Sequence, residues 1–264
     1  MKARFLACAT AAALFACGVR GSGGSDSLEN PDGIERIQQG ISGGSETTSY
    51  PYAVGIKING QGTCSGTLIA PNLVLTARHC VSTIDTGEQI LPASMFNGNY
   101  TADAFKVSTN ATLGNTGRTV DQVLYPTTNK VLGNDIALLI LSSNVPAGEA
   151  TPAVPIVQHA AFNLARYSLA FTAIGYGITG PGGNDSGQRR FRTNIDVLCM
   201  DGSQVPGSCA GAVDGDGVRV VAPSEFVSGA GVCRGDSGSG AFPQKNFNAG
   251  ATITFGDWVR DGHA

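Results

Sequence analysis

YAVGIKINGQGTCSGTLIAPNLVLT, residues 52–76, alternates short apolar runs with turn residues. Tyr52 to Ile58 is one run and Thr67 to Thr76 another, with Asn59-Gly60 between them and Pro71-Asn72 as a second turn pair. β-branched and aromatic residues suit a half-buried pleated surface, and Asn-Gly supplies the positive φ that a tight reversal needs. The texture recurs at Ala104 to Val107, Val120 to Tyr125, Ile136 to Leu141, Leu169 to Ile178, Phe191 to Leu198, Val218 to Val221 and Ala251 to Phe255. Asn97-Gly98 and the stretch Gly180 to Asn184 add further turn signals. Many short strands at this spacing predict an all-β sandwich or barrel. Helical periodicity is nearly absent; residues 222–228 are expected to form one short helical turn.

Composition agrees. At 264 residues the chain has ample length for a buried core. Its 37 glycines are about twice the usual share, which favours loops and turns over long helices. A net charge of −3 without a basic stripe argues against nucleic acid as a partner.

The N-terminus reads as an export signal. Lys2 and Arg4 precede an apolar run from Phe5 to Ala16 that is too short to span a bilayer, so residues 1–17 are expected to be a signal peptide. Leu14-Phe15-Ala16-Cys17 also resembles a bacterial lipobox, whose cysteine becomes a lipidated first residue. A lipid anchor at Cys17 in the cell envelope and plain secretion stand as alternatives. Residues 18–40, rich in Gly, Ser and acidic residues, are expected to be a linker or propeptide. Past Cys8 and Cys17 five cysteines remain, Cys64, Cys80, Cys199, Cys209 and Cys233, and in an oxidising compartment they imply disulfides with one left over. A zinc site built on Cys64, His79 and Cys80 is disfavoured, because adjacent His-Cys ligands lack the spacing of structural sites. No metal or cofactor is expected.

Three short segments carry the chemistry. In Cys-Arg-Gly-Asp-Ser-Gly-Ser-Gly, residues 233–240, a serine lies between glycines, which permit tight turns and leave room beside a reactive oxygen. Successive amides there can aim at one point as an oxyanion hole. Leu75-Thr76-Ala77-Arg78-His79-Cys80 ends an apolar strand on one of only three histidines. Asn134-Asp135-Ile136-Ala137-Leu138-Leu139 sets a carboxylate just ahead of a buried-looking strand. Each has a bland reading alone, as a loop serine, a packed histidine and a turn aspartate. All three bland readings would have to hold together, in the order His, Asp, Ser.

From Ile41 to about Gly256 the chain resembles the trypsin/chymotrypsin family of serine endopeptidases. The resemblance rests on Ile41-Ser42-Gly43-Gly44, the Cys64-Ser65-Gly66-Thr67-Leu68-Ile69 strand and the three boxes above. It implies two packed antiparallel six-stranded β-barrels with a site between them, His79 and Asp135 coming from the first and Ser237 from the second. It further implies His79, Asp135 and Ser237 as a catalytic triad, the amides of Gly235 and Ser237 as the oxyanion hole, and Cys64–Cys80 and Cys199–Cys209 as disulfides. Activation by a protease cutting before Ile41 would bring a new ammonium to Asp236. Gly40 is not basic, so a trypsin-like activator does not suit unless cleavage after Arg36 comes first. Six residues before Ser237, Gly231 would form the base of the primary pocket, and without a carboxylate there small or apolar P1 residues of protein or peptide substrates are expected.

The chain departs from the family in several places. Arg78 stands where alanine is common, Tyr176 where tryptophan is common, and Ser239-Gly240 replaces Gly-Pro. Fewer residues follow Ser237 than in the family, and after Gly256 the resemblance stops. The second barrel is therefore expected to be incomplete at the C-terminus, with Cys233 unpaired, whether by a frameshift or by design. Two functions follow: an active endopeptidase, or a catalytically impaired or inactive protease homologue with a binding role.

Overall fold

The computed structural model describes residues 41, 44–86, 93–156, 169–180, 183–200, 209, 221–222, 225–229, 231–244 and 252–254. The expectations for residues 1–17, 18–40 and the stretch after Gly256 lie outside the described residues. In chain order the strands are β1 (Ser45–Glu46), β2 (Ala53–Ile58), β3 (Gly62–Ala70), β4 (Leu73–Thr76), β5 (Ser82–Ile84), β6 (Phe96–Asn99), β7 (Phe105–Ser108), β8 (Arg118–Leu124), β9 (Ala137–Leu141), β10 (Val154–Ile156), β11 (Ala170–Gly175), β12 (Arg190–Met200), β13 (Phe226–Ser228), β14 (Ala241–Pro243) and β15 (Thr252–Thr254). Single 3-10 turns stand at Arg78–Cys80 and Ala102–Ala104, Cys209 and Gln244 are also in 3-10 conformation, and no helix among the described residues is long and apolar enough to cross a membrane.

Strands β2-β3-β4-β9-β8-β7 close into an antiparallel barrel. β2 and β3 pair from Ala53↔Thr67 to Ile58↔Gly62, turning at Asn59 (φ 49°) and Gly60 (φ 71°). Two consecutive positive φ values match the right-handed twist of the flanking strands. Burial alternates as the pleat requires: in β9, Ala137, Leu139 and Leu141 point inward. With Val54, Ile56, Leu68, Val74, Phe105, Val107 and Val120 they fill the barrel.

The second unit is a sheet in the order β1-β12-β11-β14-β15-β10, with β13 also paired to β12. Its pairs are antiparallel except β10 with β15, which run parallel from Val154↔Thr252 to Ile156↔Thr254; this corrects the expectation of a wholly antiparallel second unit. Parallel neighbours need a long crossover, and the whole of β11 to β14 lies between these two strands in the chain. Ile41, Phe171, Ala173, Ile195, Val232 and Ala241 form its core. A third cluster joins the units, with Ala53 from the barrel against Ile174 and Phe242 from the sheet. Tyr52 and Phe242 rings lie 5.3 Å apart across that seam.

Two local expectations change. The run Thr67 to Thr76 is not one strand: it breaks at Pro71-Asn72 into the hairpin β3–β4, with Leu68 opposite Val74. Residues 226–228 are strand β13 rather than a helical turn. There Val227 pairs with Cys199, and the Phe226 ring meets Phe171 edge-on at 5.7 Å. Pairing and packing outweigh a weak helical preference. Of Val218 to Val221 only Val221 is among the described residues.

The hairpin turn gives a direct check on the first barrel. Nothing surrounds a Cβ built on Gly60, so Gly60→Ala adds only the cost of a left-handed backbone. That costs about 1 kcal/mol, and the thermal midpoint should fall by roughly 3 °C. An unchanged midpoint in calorimetry would remove the positive-φ turn from the account of the barrel.

Candidate active site

His79 sits in the 3-10 turn that follows β4, and Asp135 ends the loop that feeds β9. β4 and β9 are neighbours, with Thr76 opposite Ala137, so their adjoining ends bring the two residues together. The ring Nδ1 lies 2.8 Å from Asp135 Oδ2, and the His79 backbone N–H donates to Asp135 Oδ1 at 2.7 Å. The aspartate side chain is completely buried and the imidazole is 14% exposed. Donation from Nδ1–H to the carboxylate selects the tautomer with its acceptor lone pair on Nε2.

Ser237 arrives from the second unit on the turn between β13 and β14. Its carbonyl accepts the Ser65 N–H at 2.8 Å and lies 3.6 Å from Cys80 Sγ. Gly238 follows with φ 83°, so close to the barrel that a Cβ there would strike Thr76 Oγ1 and Ser65 O and come within 2.9 Å of Ala77 N. Ala77 and Cys80 flank the His79 turn, so the serine loop is seated directly on it. The Cys64–Cys80 disulfide closes the same place from the barrel side. Because Cys64 and Cys80 bond each other, the cluster they form with His79, its ligand atoms within 4.8 Å of one another, has its thiols already engaged.

Ser65 organises the approach. Its hydroxyl donates to Gly235 O at 2.8 Å and accepts the Tyr176 N–H at 2.9 Å, while its carbonyl accepts from Thr76 Oγ1 at 2.8 Å. Gly235 has φ 98°, and a Cβ there would lie 2.9 Å from Gly177 Cα. Only glycine fits that conformation at that separation. Neither the Gly235 nor the Ser237 amide donates to a backbone acceptor among the described residues.

Asp236 points the other way, into the second unit, and is 2% exposed. Gly177 N–H donates to its Oδ1 at 2.7 Å and Cys233 N–H to its Oδ2 at 2.9 Å. Burial pushes its carboxyl up to about 7, against the pull of those two amides and of the Arg190 charge. A Cβ on Gly175 would collide with Asp236 Oδ1, and one on Gly177 would lie 2.6 Å from its Cγ. Ile41 is fully buried in the core cluster that also holds Val232, four residues before Asp236 in the chain. Gly231 is buried against Ile195, whose Cδ1 would lie 2.8 Å from a Cβ at that position.

The structure forms both expected disulfides, Cys64–Cys80 and Cys199–Cys209. It corrects the expectation for Cys233, which is disulfide-bonded rather than free; its partner lies outside the described residues. The reading of the sequence also missed Gly175 and Gly177, signalled by Gly-Tyr-Gly at the end of an apolar strand, and Glu225. Glu225 is buried and takes the N–H of Gly133 at 2.7 Å and that of Ala222 at 2.6 Å, tying the Asp135 loop to the second unit. Nothing in the local sequence marks this long-range bond.

Known proteins share this architecture and sequence. The family model described as Trypsin matches residues 41–261. Trypsin alpha-4 of Lucilia cuprina is 26% identical over 214 residues, covering 79% of this chain and 75% of the relative. Trypsin alpha of Drosophila erecta is 24% identical over 218 residues, with 79% and 75% covered. Among solved structures, the scabies mite inactivated protease paralogue S-I1 superposes with a TM-score of 0.53 over 80% of this chain and 84% of its own, at 18% identity, a likeness of fold. The chain belongs to the trypsin family of serine endopeptidases.

Proposed function

We propose that the chain is a secreted endopeptidase that cleaves peptide bonds through an acyl-enzyme, with Ser237 as nucleophile, His79 as general base and Asp135 as its orienting carboxylate. The observation that carries this reading is the 2.8 Å contact between His79 Nδ1 and a wholly buried Asp135, with the serine loop seated on the same turn. Ser237 Oγ attacks the substrate carbonyl while His79 Nε2 takes its proton, and the same nitrogen then protonates the leaving amine. Asp135 holds the tautomer and stabilises the imidazolium. The amides of Gly235 and Ser237 meet the negative oxygen of the tetrahedral intermediate. A serine-reactive fluorophosphonate should label the protein cleaved before Ile41 and leave Ser237→Ala unlabelled. Folded, soluble protein that resists labelling would instead leave the trypsin fold without its reaction, as the inactive alternative requires.

Gly231 beside Ile195 favours an apolar or small P1 side chain, since a buried substrate cation would find no carboxylate at that position. A peptide library should be cut after such residues; strict cleavage after Arg or Lys would overturn the pocket assignment.

The zymogen reading gives Asp236 its role. In the uncut chain Ile41 is peptide-bonded, so no ammonium faces the carboxyl, and burial holds its pKa at about 7 against an ordinary 3.8. The folded form therefore keeps a proton that the unfolded chain releases between about pH 4 and pH 7. This group's contribution to stability is full at the acid end of that window and is lost as pH rises through 7. Uncut Ser237→Ala protein should lose thermal stability from pH 5 to pH 8, and adding Asp236→Asn should flatten that trend. Equal slopes in the two proteins would show that Asp236 is not buried as a neutral acid. After cleavage the new ammonium would pair with the ionised carboxylate, and Asp236→Asn should then abolish labelling nearly as fully as loss of a triad member.

A further inference from the structure

Arg78, immediately before His79, is 2% exposed, an unusual place for a guanidinium. Its Cζ lies 4.1 Å from the centre of the Phe96 ring and 4.7 Å from that of Tyr125, so the cation rests against two aromatic faces. Nη1 donates to the carbonyls of Pro126, at 2.9 Å, and Thr128, and Nη2 reaches Asn129 Oδ1 at 3.3 Å. Nε is buried without a partner. Among the described residues every acceptor is neutral, and no carboxylate bonds to the guanidinium. Burial pulls its proton affinity down, and the nearby Tyr125 and Asp135 pull it back up.

Two features make this more than packing. The three acceptors all lie on the loop from the end of β8 to Asp135, so one side chain fastens that loop to the turn carrying His79. Asp135 is itself fully buried, and among the described residues both its hydrogen bonds come from His79. While the imidazole is neutral, the carboxylate has no bonded cation among the described residues. A buried charge of that kind needs compensation, and Arg78, next in the chain to the histidine that bonds Asp135, is a cation near enough to feel its charge. An apolar side chain would fill the same slot with less desolvation, but it would provide neither the field nor the three bonds to the loop.

We infer that Arg78 is a positioning residue for the proposed reaction: its stacked guanidinium holds the Asp135 loop against the His79 turn and balances the buried carboxylate. The inference rests on the protease reading, but its test does not. The Nδ1 proton of His79, bonded to Asp135, is observable by NMR as a far-downfield resonance whether or not the protein is active. In the full chain cleaved before Ile41, Arg78→Met should broaden or lose that resonance in folded protein and slow fluorophosphonate labelling at least tenfold. Arg78→Lys keeps the charge but not the planar fork, and should restore the resonance and part of the rate. Should Arg78→Met not fold, Tyr125→Leu removes one face of the stack at a half-exposed position and should produce the same changes at smaller size.

A wild-type resonance with wild-type labelling in the variant that folds overturns the inference. So does slowed labelling with an unchanged resonance, because the loss would not then run through the His79–Asp135 pair. If the wild-type protein itself fails to label, the protease reading falls while the resonance still decides the role of Arg78.

Discussion

Ser65 binds the serine loop to the barrel with both its backbone and its side chain, and the site between the units depends on that grip. Its N–H holds the carbonyl of Ser237, its hydroxyl holds the carbonyl of Gly235, and its own carbonyl is fixed by Thr76, three residues ahead of His79. The hydroxyl also receives the Tyr176 amide from the end of β11, so the second unit is caught at two points through one oxygen. All of these groups are buried or nearly so, and leaving any of them unpaired would cost roughly 1–3 kcal/mol. The halves of the site are thus aligned by hydrogen bonds that cannot form unless the barrel and the sheet have docked.

Around that seam three ionisable side chains are buried against backbone groups. Arg189 is 2% exposed and donates to the carbonyls of Ala53, Thr109 and Thr48 and to the Tyr176 hydroxyl. Glu225 is held by two backbone amides, and Asp236 likewise. In each case an ionisable group meets mainly fixed backbone dipoles rather than a mobile side chain of opposite sign. Such an arrangement specifies geometry, because a carbonyl or amide cannot follow the charge if it moves. It also explains why so many glycines surround these groups: Gly175 and Gly177 let the backbone reach Asp236 with no Cβ between them.

How much of this was legible in the sequence depended on the range of the interaction. The all-β class, the β2–β3 hairpin at Asn59-Gly60, the meeting of His79 with Asp135 and the two disulfides were expected, because local pattern or a family motif encodes them. The strand β15 was expected from the run Ala251 to Phe255, but β14 was harder: it falls within a glycine-rich stretch, and its pairing with β11 depends on residues some seventy positions earlier in the chain. The parallel contact of β10 with β15 has no local signature at all. Phe226 to Ser228 looked like part of a helical turn because its partner strand, β12, is invisible to a window of that size. Arg78 was noticed only as an odd residue beside the histidine, since its meaning lies in Phe96, Tyr125 and the loop at 126–129.

The two halves of the proposed machinery stand under different constraints. His79 and Asp135 belong wholly to the first barrel, fastened by adjoining strand ends, a disulfide and the Arg78 stack, so their contact is independent of what happens at Ile41. The proposed oxyanion amides belong to the Gly235–Ser237 turn, whose middle residue is a carboxyl buried with no bonded cation among the described residues. Leaving that carboxyl neutral in the uncut chain, or ionising it opposite a new ammonium, changes the electrostatics at the centre of the turn and not at the histidine. Control by cleavage would therefore act on the stabilisation of the tetrahedral intermediate while the general base stays assembled, which is the cheaper place to put a switch: a single peptide bond shifts one buried charge, and the barrel need not move.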